Sequence, residues 1–459
     1  MIDLKDLRAN PDRYRRGCAD KQMRVDIDEL LRLDERLREV MTRREQLTAE
    51  KNRISKEIGS LAGRVKKAQG EEQQRLQAEM DRLQRRPQEI KDLEAELTPQ
   101  VAQLEAQRDA IWLQVPQPAD GDVPVGKGAE DNRELRRWRP EGFDPALSFE
   151  SQRGFKPRGH LEIMQRLGLV DFDRGVKMAG SRSYVMTGAG MRLQQAVLAF
   201  AMNTMTGEFG FTPVSVPVLV RGEMMVGTGF FPAGKEQAYA VANPTGDYEL
   251  YLTGTGEVGL MGLHQDEVLE PETLPLRYTT VSTCFRREAG AAGKDTAGLY
   301  RVHQFEKVEQ VVICRADEAE SRQWHARMIG YVETLLQRLG LPYRLLQCCT
   351  GDLGPKNADM IDIETWMPGR GELVDGVPTG AFSETHSASR LYDYQCRRLN
   401  LRYRDPVTRK PVVCHSLNNT VAACPRLLIP IVEMYQNADG TITVPEALRP
   451  LMGGMERIG

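Results

Sequence analysis

"FRREAGAAGKDTAGLYRVHQFEKVEQ", residues 285–310, is the segment from which the architecture and chemistry of this chain are most readily inferred. Two β-favouring runs flank a loop rich in Gly and Ala, a pattern that predicts a strand, a loop and a second strand. Convergent arginines bind phosphates and carboxylates, because the guanidinium group is planar, bidentate and always charged. Glu288 lies two residues from Arg286 and shares its face if both are on a strand, where it could hold an amine or a metal. A surface ladder of ion pairs is the alternative interpretation.

The order of secondary-structure signals predicts an α+β fold for the C-terminal two-thirds of the chain. Beyond residue 160, short β-rich runs such as "LRYTTVSTCF" and "HQFEKVEQVVIC" outnumber the helical stretches and do not alternate strictly with them. We therefore expect an antiparallel sheet flanked by helices. The chain contains no GxxxxGK[ST] and no strand-led GxGxxG, which argues against a P-loop or Rossmann nucleotide site.

The N-terminal third has apolar residues at heptad spacing on both sides of a break at Gly63 and Gly70. This pattern predicts an antiparallel two-helix coiled-coil arm, each helix roughly 55 Å long at ~1.5 Å per residue. Pro87 and Pro99 predict kinks in the second helix, because each removes a backbone hydrogen bond. The seam residues are Leu30, Leu33, Leu37, Val40, Leu47, Ile54, Ile58, Leu61 and Val65, then Leu76, Met80, Leu83, Ile90, Leu97, Val101, Leu104 and Ile111, with Arg44 and Lys51 at two polar seam positions.

The charge distribution allows nucleic-acid binding only through a local surface. The net charge of −3 excludes a general polycation. Residues 32–67 nevertheless carry eleven basic and six acidic side chains. This surface is either the solvated face of a coiled coil or a rod that lies along nucleic-acid phosphates, and charge alone leaves both interpretations open.

Composition also predicts domain boundaries and compartment. Residues 115–132 contain three Pro, three Gly and no apolar period, so we expect a linker at 115–135 between an N-terminal domain (1–114) and a catalytic domain (136–459). Eight cysteines without a CxxC pair indicate free cytosolic thiols and no zinc site. The absence of a signal-like apolar region and of 18 consecutive apolar residues predicts a soluble, cytoplasmic protein without membrane contact.

Four segments together resemble the class II aminoacyl-tRNA synthetases, in the form found in the seryl-tRNA synthetases. Residues 281–310 resemble motif 2, "FTPVSVPVLVRGEMMVGTGFFP" (211–232) resembles motif 1 with Pro217 at its proline, and "NNTVAACPRLLIPIVEMYQ" (418–436) resembles motif 3. "YLTGTGEVGL" resembles the Thr-x-Glu loop of the seryl enzymes, and the coiled coil matches the family's tRNA-binding arm.

The resemblance implies roles in ATP binding. Arg286 would hold the α-phosphate and the forming adenylate, Glu288 would meet the adenine amino group, and Arg301 would reach the terminal phosphates. Phe305 would stack on adenine, and Arg426 would cover its other side and contact the γ-phosphate. The implied ATP-binding and catalytic set is Arg286, Glu288, Arg301, Val302, Phe305, Glu384, Ser387 and Arg426.

The resemblance also implies the metal and serine sites. Glu384 and Ser387 would hold Mg²⁺ between phosphates, and Glu309 would bind the serine amine or hydroxyl. The remaining serine-pocket residues would be Thr255, Glu257, Asn418 and Thr420, with Arg286.

The implied function is activation of L-serine by ATP to seryl-adenylate and transfer of serine to tRNA(Ser), and to tRNA(Sec) where that tRNA exists. A homodimer built through motif 1 is implied, with the arm reaching the tRNA held by the other subunit. A non-catalytic paralogue is disfavoured because Arg286, Glu309 and Arg426 are present. A ligase that loads a carrier protein is disfavoured because such enzymes lack the long arm.

Several departures from the family pattern give separate expectations. The serine loop carries glycines at 254 and 256, where the family usually has Pro and Ala. Residues 371–383 form a longer link than usual, either a tolerated surface insertion, which we favour, or a flap near the site. Pro430 predicts a bend or a late start of the motif 3 helix. We interpret His303 and His386 as hydrogen-bonded structural residues.

Overall fold

The structure of the protein is a computed structural model that describes residues 1–242, 248–289, 295 and 297–459. These residues form two compact units. One unit comprises Leu4–Arg15 and Arg24–Val115, and the other comprises Met1–Asp3, Arg16–Met23 and Pro116–Gly459.

The smaller unit contains the predicted coiled-coil arm. Helix α1 (Ile27–Val65) and helix α2 (Gly70–Trp112) pack against each other along the heptad seam. Leu37 on α1 packs with Val101 and Leu104 near the end of α2, which is the pairing that an antiparallel arrangement requires. The predicted arm is therefore confirmed, and its stability comes from apolar packing between the two helices.

Polar seam positions and glycines have specific places in this arm. Lys51 donates a hydrogen bond from Nζ to Oε2 of Glu94 at 2.7 Å across the seam, so the charge is compensated. The expected break at Gly63 is wrong, because α1 continues to Val65. Gly70 begins α2 with a φ of +62°, a left-handed conformation that favours glycine.

The larger unit is built on an eight-stranded sheet, as the α+β prediction requires. Its strand order is β1-β5-β6-β7-β8-β4-β3-β2, and every neighbouring pair is antiparallel except β2 with β3. The strands are β1 (Arg133–Trp138), β2 (Thr212–Pro213), β3 (Leu276–Phe285), β4 (Gln304–Cys314), β5 (Tyr343–Gln347), β6 (Asp359–Met367), β7 (Ala381–Tyr392) and β8 (His415–Cys424).

Three helices cover one face of this sheet and form the main core with it. They are α3 (Gly188–Gly207), α4 (Glu318–Arg338) and α5 (Leu428–Met434). The central strands bury apolar residues against the helices because alternate residues of a strand share one face. Core residues include Leu193, Val197, Met328, Val332, Leu336, Val308, Val312, Ile363, Leu417 and Val432.

The segment expected to be a linker is packed into the larger unit from Pro116 onward. The Gln117 N–H donates to the carbonyl of Pro355 at 2.8 Å, and the Asp120 N–H donates to that of Ala358 at 2.9 Å. Strand β1 begins at Arg133, inside the expected linker, and forms one edge of the large sheet. Composition does not reveal this packing, because the tertiary hydrogen bonds of an irregular segment leave no local signal, and the domain boundaries stay a prediction.

The prolines have different local outcomes. Helix α2 runs continuously through Pro87 and Pro99, and the kinks there stay a prediction. Helix α5 begins at Leu428, so Pro430 lies in its first turn, where a missing N–H removes no helical bond. The late start predicted for the motif 3 helix is confirmed.

The remaining elements are short and surround the sheet. The strands are Val170–Asp171, Val185–Met186, Leu219–Arg221, Tyr239–Ala240, Leu250–Leu252, Val268–Leu269, Leu373–Val374, Val377–Pro378, Arg402–Arg404, Pro411–Val413, Ile442–Thr443 and Arg457–Ile458. The helices are Leu4–Ala9, Pro11–Asp20, Phe149–Arg153, His160–Arg166, Phe172–Ala179, Gly222–Gly227, Glu257–Gly262 and Tyr394–Arg398. Among the described residues, no helix combines the length and apolar character needed to cross a bilayer.

Candidate active site

A concave pocket lies where β3, β4, β7 and β8 meet, and it is lined by all the residues that the resemblance implied for ATP binding. Its empty space is about 590 Å³. All eight members of the implied ATP-binding set line it: Arg286, Glu288, Arg301, Val302, Phe305, Glu384, Ser387 and Arg426. The structure therefore brings together residues that are up to 140 positions apart in the sequence.

Arg286 is placed by the end of β3. Its N–H donates to the His303 carbonyl at 2.9 Å, and His303 Nδ1 lies 2.9 Å from the Arg286 carbonyl. His303 is thus a hydrogen-bonded structural residue, as predicted. The guanidinium carbon of Arg286 lies 5.3 Å from the Phe305 ring centroid, and Nε donates to the Gly254 carbonyl at 3.3 Å. These contacts orient a fixed cation at the pocket wall.

Glu288 adopts a φ of +51°, which is uncommon for a residue with a side chain. Such strain is found where tertiary structure holds a functional group in place. The Glu288 carboxylate accepts a hydrogen bond from Arg301 Nη1 at 3.2 Å, and its side chain is 11% exposed. This ion pair connects the two ends of the motif 2 loop, which lies between β3 and β4.

Arg426 closes the opposite side of the pocket. Its Nε donates to the Tyr300 carbonyl at 3.2 Å, and its Nη1 lies 3.5 Å from the Glu384 carboxylate. Burial pulls the pKa of Arg426 down, but the Glu384 carboxylate, with Tyr300 and Glu288, raises it above its usual value. Arg426 is therefore a permanent cation in a partly enclosed site.

A β-bulge determines how β7 presents its polar residues. Glu384 pairs with Glu364 and His386 pairs with Ile363, so Thr385 is an extra residue in the register. In a regular strand Glu384 and Ser387 would point to opposite faces. The bulge brings both side chains to the same pocket.

The serine side of the predicted site is organised around Glu309. The Glu309 carboxylate accepts a hydrogen bond from Thr255 Oγ1 at 3.1 Å and forms a close ion pair with Lys307. Lys307 Nζ also donates to Thr255 Oγ1 at 2.8 Å. All three residues are buried, so the polar triad is shielded from solvent and its groups satisfy one another.

Two further residues predicted for the serine pocket are buried. The Glu257 carboxylate accepts from Lys356 Nζ at 2.7 Å on both oxygens and from Gln395 Nε2 at 2.7 Å, and it is 2% exposed. Asn418 is buried on β8 opposite Val311. Thr420 lines the ATP pocket and pairs in register with Glu309, beside a second bulge between β4 and β8. Glu257 and Asn418 do not line this pocket, and their role in serine binding stays a prediction.

Sequence reasoning missed Lys307 and Tyr300. Lys307 shares a strand face with Phe305 and Glu309 by the two-residue period, and this signal could have found it. Tyr300 lines the pocket, and its hydroxyl donates to the Glu384 carbonyl at 3.0 Å. No sequence spacing links Tyr300 to Glu384, because only the pairing of distant strands in the sheet brings these two residues into contact.

A second, more open cavity borders the first and shares Arg286, Glu288 and Arg301 with it. It is also lined by Met225 and Phe230 of motif 1 and by Gly254 of the serine loop. Its other lining residues are Gly234, Gln237, Ala238, Phe285, Ala289, Gly354, Asn357 and Met360. The three charged residues therefore line both cavities.

The oxygen groups near Glu384 fit a hard divalent cation. Asp362 pairs with Ser387 across β6 and β7, and its buried Oδ1 has no hydrogen-bond partner among the described residues. Carboxylate and hydroxyl oxygens are the ligands that Mg²⁺ prefers. The described residues also contain a group that could hold a metal: Cys348, Asp352 and Asp362. Burial raises the pKa of the Cys348 thiol, and burial, with the nearby Glu384 carboxylate, also raises the pKa of Asp362.

The chain matches two family models. Residues 1–117 match the seryl-tRNA synthetase N-terminal domain, and residues 239–435 match the tRNA synthetase class II core domain for G, H, P, S and T. It is 42% identical over 462 residues to a serine–tRNA ligase of Deinococcus radiodurans, covering 100% of this chain and 99% of that protein.

Solved structures agree with this assignment. The fold is similar to that of a Pyrococcus horikoshii seryl-tRNA synthetase complexed with ATP, with a TM-score of 0.82, 35% identity, and coverage of 100% of this chain and 99% of that one. It is also similar to a cytoplasmic serine–tRNA ligase of Naegleria fowleri in complex with AMP, with a TM-score of 0.79, 30% identity, and coverage of 98% and 95%. The chain belongs to the seryl-tRNA synthetase family.

Proposed function

We propose that this chain activates L-serine with ATP and transfers the seryl group to tRNA(Ser). The observation that carries the proposal is the pocket lined by Arg286, Arg301 and Arg426, which lies beside the buried group of Thr255, Lys307 and Glu309. Three arginines suit a polyphosphate, and a carboxylate with a hydroxyl suits an amino acid that carries an amine and a hydroxyl.

In the first step a serine carboxylate oxygen attacks the α-phosphorus of ATP, and pyrophosphate leaves. The nucleophile is already ionised, so the reaction requires positioning and charge stabilisation rather than a strong base. Arg286 holds the α-phosphate, and Arg301 and Arg426 hold the terminal phosphates. Phe305 stacks on adenine, and Glu288 accepts a hydrogen bond from its amino group.

Mg²⁺ is proposed as the metal, held by Glu384 and Ser387. When bound, it neutralises phosphate charge and orients the leaving pyrophosphate. Asp362, which pairs with Ser387 in register, supports this position from the neighbouring strand.

Serine binds with its amine or hydroxyl at Glu309 and Thr255, next to Arg286. A site that hydrogen-bonds a substrate hydroxyl rejects alanine strongly, because the polar groups would stay unpaired. Glu257, held by hydrogen bonds from Lys356 and Gln395, is proposed with Asn418 and Thr420 as the rest of the serine pocket.

In the second step the terminal adenosine hydroxyl of tRNA attacks the seryl carbonyl, and AMP leaves. The open cavity beyond Arg286 offers space for the acceptor end. The coiled-coil arm binds the tRNA by contacting its sugar–phosphate backbone and recognising its shape. We extend the proposal to tRNA(Sec) where that tRNA exists, and to action in the cytoplasm.

A homodimer completes the proposal. Val281 on β3 is 47% exposed, and Leu219 in motif 1 is 42% exposed, so apolar side chains are available at the surface for a partner subunit to cover. Analytical ultracentrifugation tests this: a species of twice the chain mass supports the dimer, and a monomer at micromolar concentration contradicts it.

The experiment that tests the activity is ATP–pyrophosphate exchange with serine, threonine, alanine and glycine offered separately. Exchange with serine alone supports the proposal, and its loss in Arg286→Ala assigns the chemistry to this pocket. No exchange from the folded protein with any amino acid would overturn it and favour a binding paralogue. Deletion of residues 30–112, replaced by a short Gly-Ser linker, should preserve exchange and abolish charging of tRNA(Ser).

A further inference from the structure

The insertion at residues 371–383 is anchored at its base and exposed at its tip. It forms a hairpin of two short strands, Leu373–Val374 and Val377–Pro378, and the side chains of Leu373 and Val374 are 70% and 57% exposed. Gly380 has a φ of +81°, and a Cβ on it would lie 2.2 Å from the Trp366 ring. The base of the hairpin therefore has little freedom to move.

Arg370 lies at the start of this hairpin, and its main-chain N–H and carbonyl groups are both hydrogen-bonded. Its N–H donates to the Met367 carbonyl at 3.1 Å, and its carbonyl accepts from the Gly380 N–H at 2.8 Å. The preceding Gly369 donates to Oε2 of the buried Glu433 at 2.8 Å. These bonds fix the direction in which the Arg370 side chain leaves the backbone.

The Arg370 side chain reaches two residues of the motif 2 loop. Its Nη2 donates to Oδ1 of Asp295 at 2.9 Å, and its guanidinium carbon lies 4.2 Å from the centroid of the Tyr300 ring. The side chain of Arg370 is 27% exposed, so the contacts are partly shielded from solvent. A planar guanidinium can stack and donate at once, which a lysine ammonium cannot do.

Tyr300 and Asp295 in turn contact the pocket arginines. The guanidinium carbon of Arg426 lies 4.5 Å from the Tyr300 ring centroid, and Arg301 Nε lies 3.9 Å from the Asp295 carboxylate. A continuous set of contacts thus leads from Arg370, through Tyr300 and Asp295, to two cations that line the nucleotide pocket.

We propose that Arg370 is a positioning residue for nucleotide binding, which holds Tyr300 and Asp295 so that Arg426 and Arg301 face the phosphates of ATP. The inference rests on the proposed function for the identity of the nucleotide. It assigns a role to the base of the insertion and leaves its tip as a surface turn. Loss of Arg370 weakens ATP binding while leaving the serine group of Thr255 and Glu309 intact.

The test measures KM for ATP and KM for serine separately in pyrophosphate exchange. Arg370→Ala should raise the ATP KM at least tenfold and change the serine KM less than twofold. Arg370→Lys, which keeps the charge but loses the stack, should give an intermediate ATP KM. Glu372→Ala, an exposed change in the same hairpin, is the matched control and should leave both constants unchanged.

A double-mutant cycle shows whether Arg370 acts through Tyr300. If it does, the effects of Arg370→Ala and Tyr300→Leu on the ATP KM should combine to less than their product, and the effect that remains should be lost in an Asp295→Ala background. Fully multiplicative effects in both backgrounds would overturn the inference, as would an ATP KM within twofold of wild type or an equal rise in both KM values. If Arg370→Ala is too unstable for kinetics, Arg370→Lys replaces it, and calorimetric titration with a non-hydrolysable ATP analogue compares its nucleotide affinity with that of the wild type. It also separates this inference from the proposed function, because it measures nucleotide affinity whether or not the wild type catalyses exchange.

Discussion

Lys307 Nζ lies 2.8 Å from Oγ1 of Thr255, and both residues are buried against Glu309. Lys307 lies on β4 and Thr255 on the serine loop, so this contact joins motif 2 to the loop that recognises the amino acid. A buried cation between a hydroxyl and a carboxylate fixes the orientation of both. Lys307 therefore organises the proposed serine site without belonging to the residues that the sequence first suggested.

Lys307→Met is expected to raise the serine KM by at least tenfold in pyrophosphate exchange, with a smaller effect on the ATP KM. Removing one partner of a buried ion pair also costs about 3–5 kcal/mol of stability, because Glu309 would lose its compensating charge. Urea unfolding checks the second effect. Lys410→Met, at an exposed lysine, is the control, and a Lys307→Met enzyme with wild-type serine KM would contradict the assignment.

Arg286→Lys is expected to lower kcat for exchange by about 10²–10³, because a point charge cannot replace a bidentate donor at a developing phosphoryl charge. Single-turnover formation of the adenylate measures the chemical step directly. The adjacent Arg287 is exposed, and Arg287→Lys should retain the wild-type rate. Equal losses of kcat in both variants would show that any Arg→Lys change in this loop slows the reaction, and that Arg286 has no special role.

Glu384→Gln is expected to increase the Mg²⁺ concentration needed for half-maximal exchange by about tenfold or more, because a neutral amide is a weaker ligand for a hard cation. Titrating Mg²⁺ at fixed ATP provides the measurement. Glu372→Gln changes an exposed carboxylate of the neighbouring hairpin and serves as the control. An unchanged Mg²⁺ requirement in Glu384→Gln would place the metal elsewhere.

Neutralising the exposed basic residues at the end of α1 should weaken tRNA binding. The triple change Arg64→Ala, Lys66→Ala and Lys67→Ala is expected to raise the KM for tRNA(Ser) several-fold at low salt, with a difference that shrinks as salt increases. Serine-dependent exchange should stay at the wild-type rate. If the triple variant and the wild type have the same KM for tRNA(Ser) at every salt concentration, these basic residues form a solvated surface that does not bind tRNA.

The pH dependence of stability should report Lys21, which is buried and donates to the carbonyls of Gly354 at 2.9 Å and Asn357 at 2.6 Å. Burial lowers the pKa of Lys21 to about 7. In the unfolded chain the lysine pKa is about 10.4. Between pH 7 and about pH 10 the unfolded chain therefore binds a proton at Lys21 that the folded chain has lost, so the free energy of unfolding rises with pH in this range. The expected slope is about 1 kcal/mol per pH unit up to about pH 10.

Urea unfolding at pH 7, 8 and 9 checks this slope. The contribution should vanish in Lys21→Met and persist in Lys127→Met, an exposed control. An identical pH profile in wild type and Lys21→Met would show that the ammonium is retained in the folded state.

The regular elements were predictable because local periodicity carries them. The heptads from Leu30 to Ile111 predict the arm, and its packing of Leu37 on Val101 follows directly from the pattern. The segment from Pro116 to Asn132 was not predictable, since its hydrogen bonds to distant residues such as Pro355 leave no local signal.

The sequence by itself determined which residue types and motifs are present: the arginines, the Glu309 strand and the order of the three motifs. Only the tertiary structure decided which of these side chains share a pocket. Glu384 and Ser387 are three residues apart and meet on one face because Thr385 is bulged out of register, and Glu257 is buried with Lys356, which is 99 positions away in the sequence. The physical reason is that the strand period specifies a face only while the register is regular, and a bulge arises from pairing with a neighbouring strand.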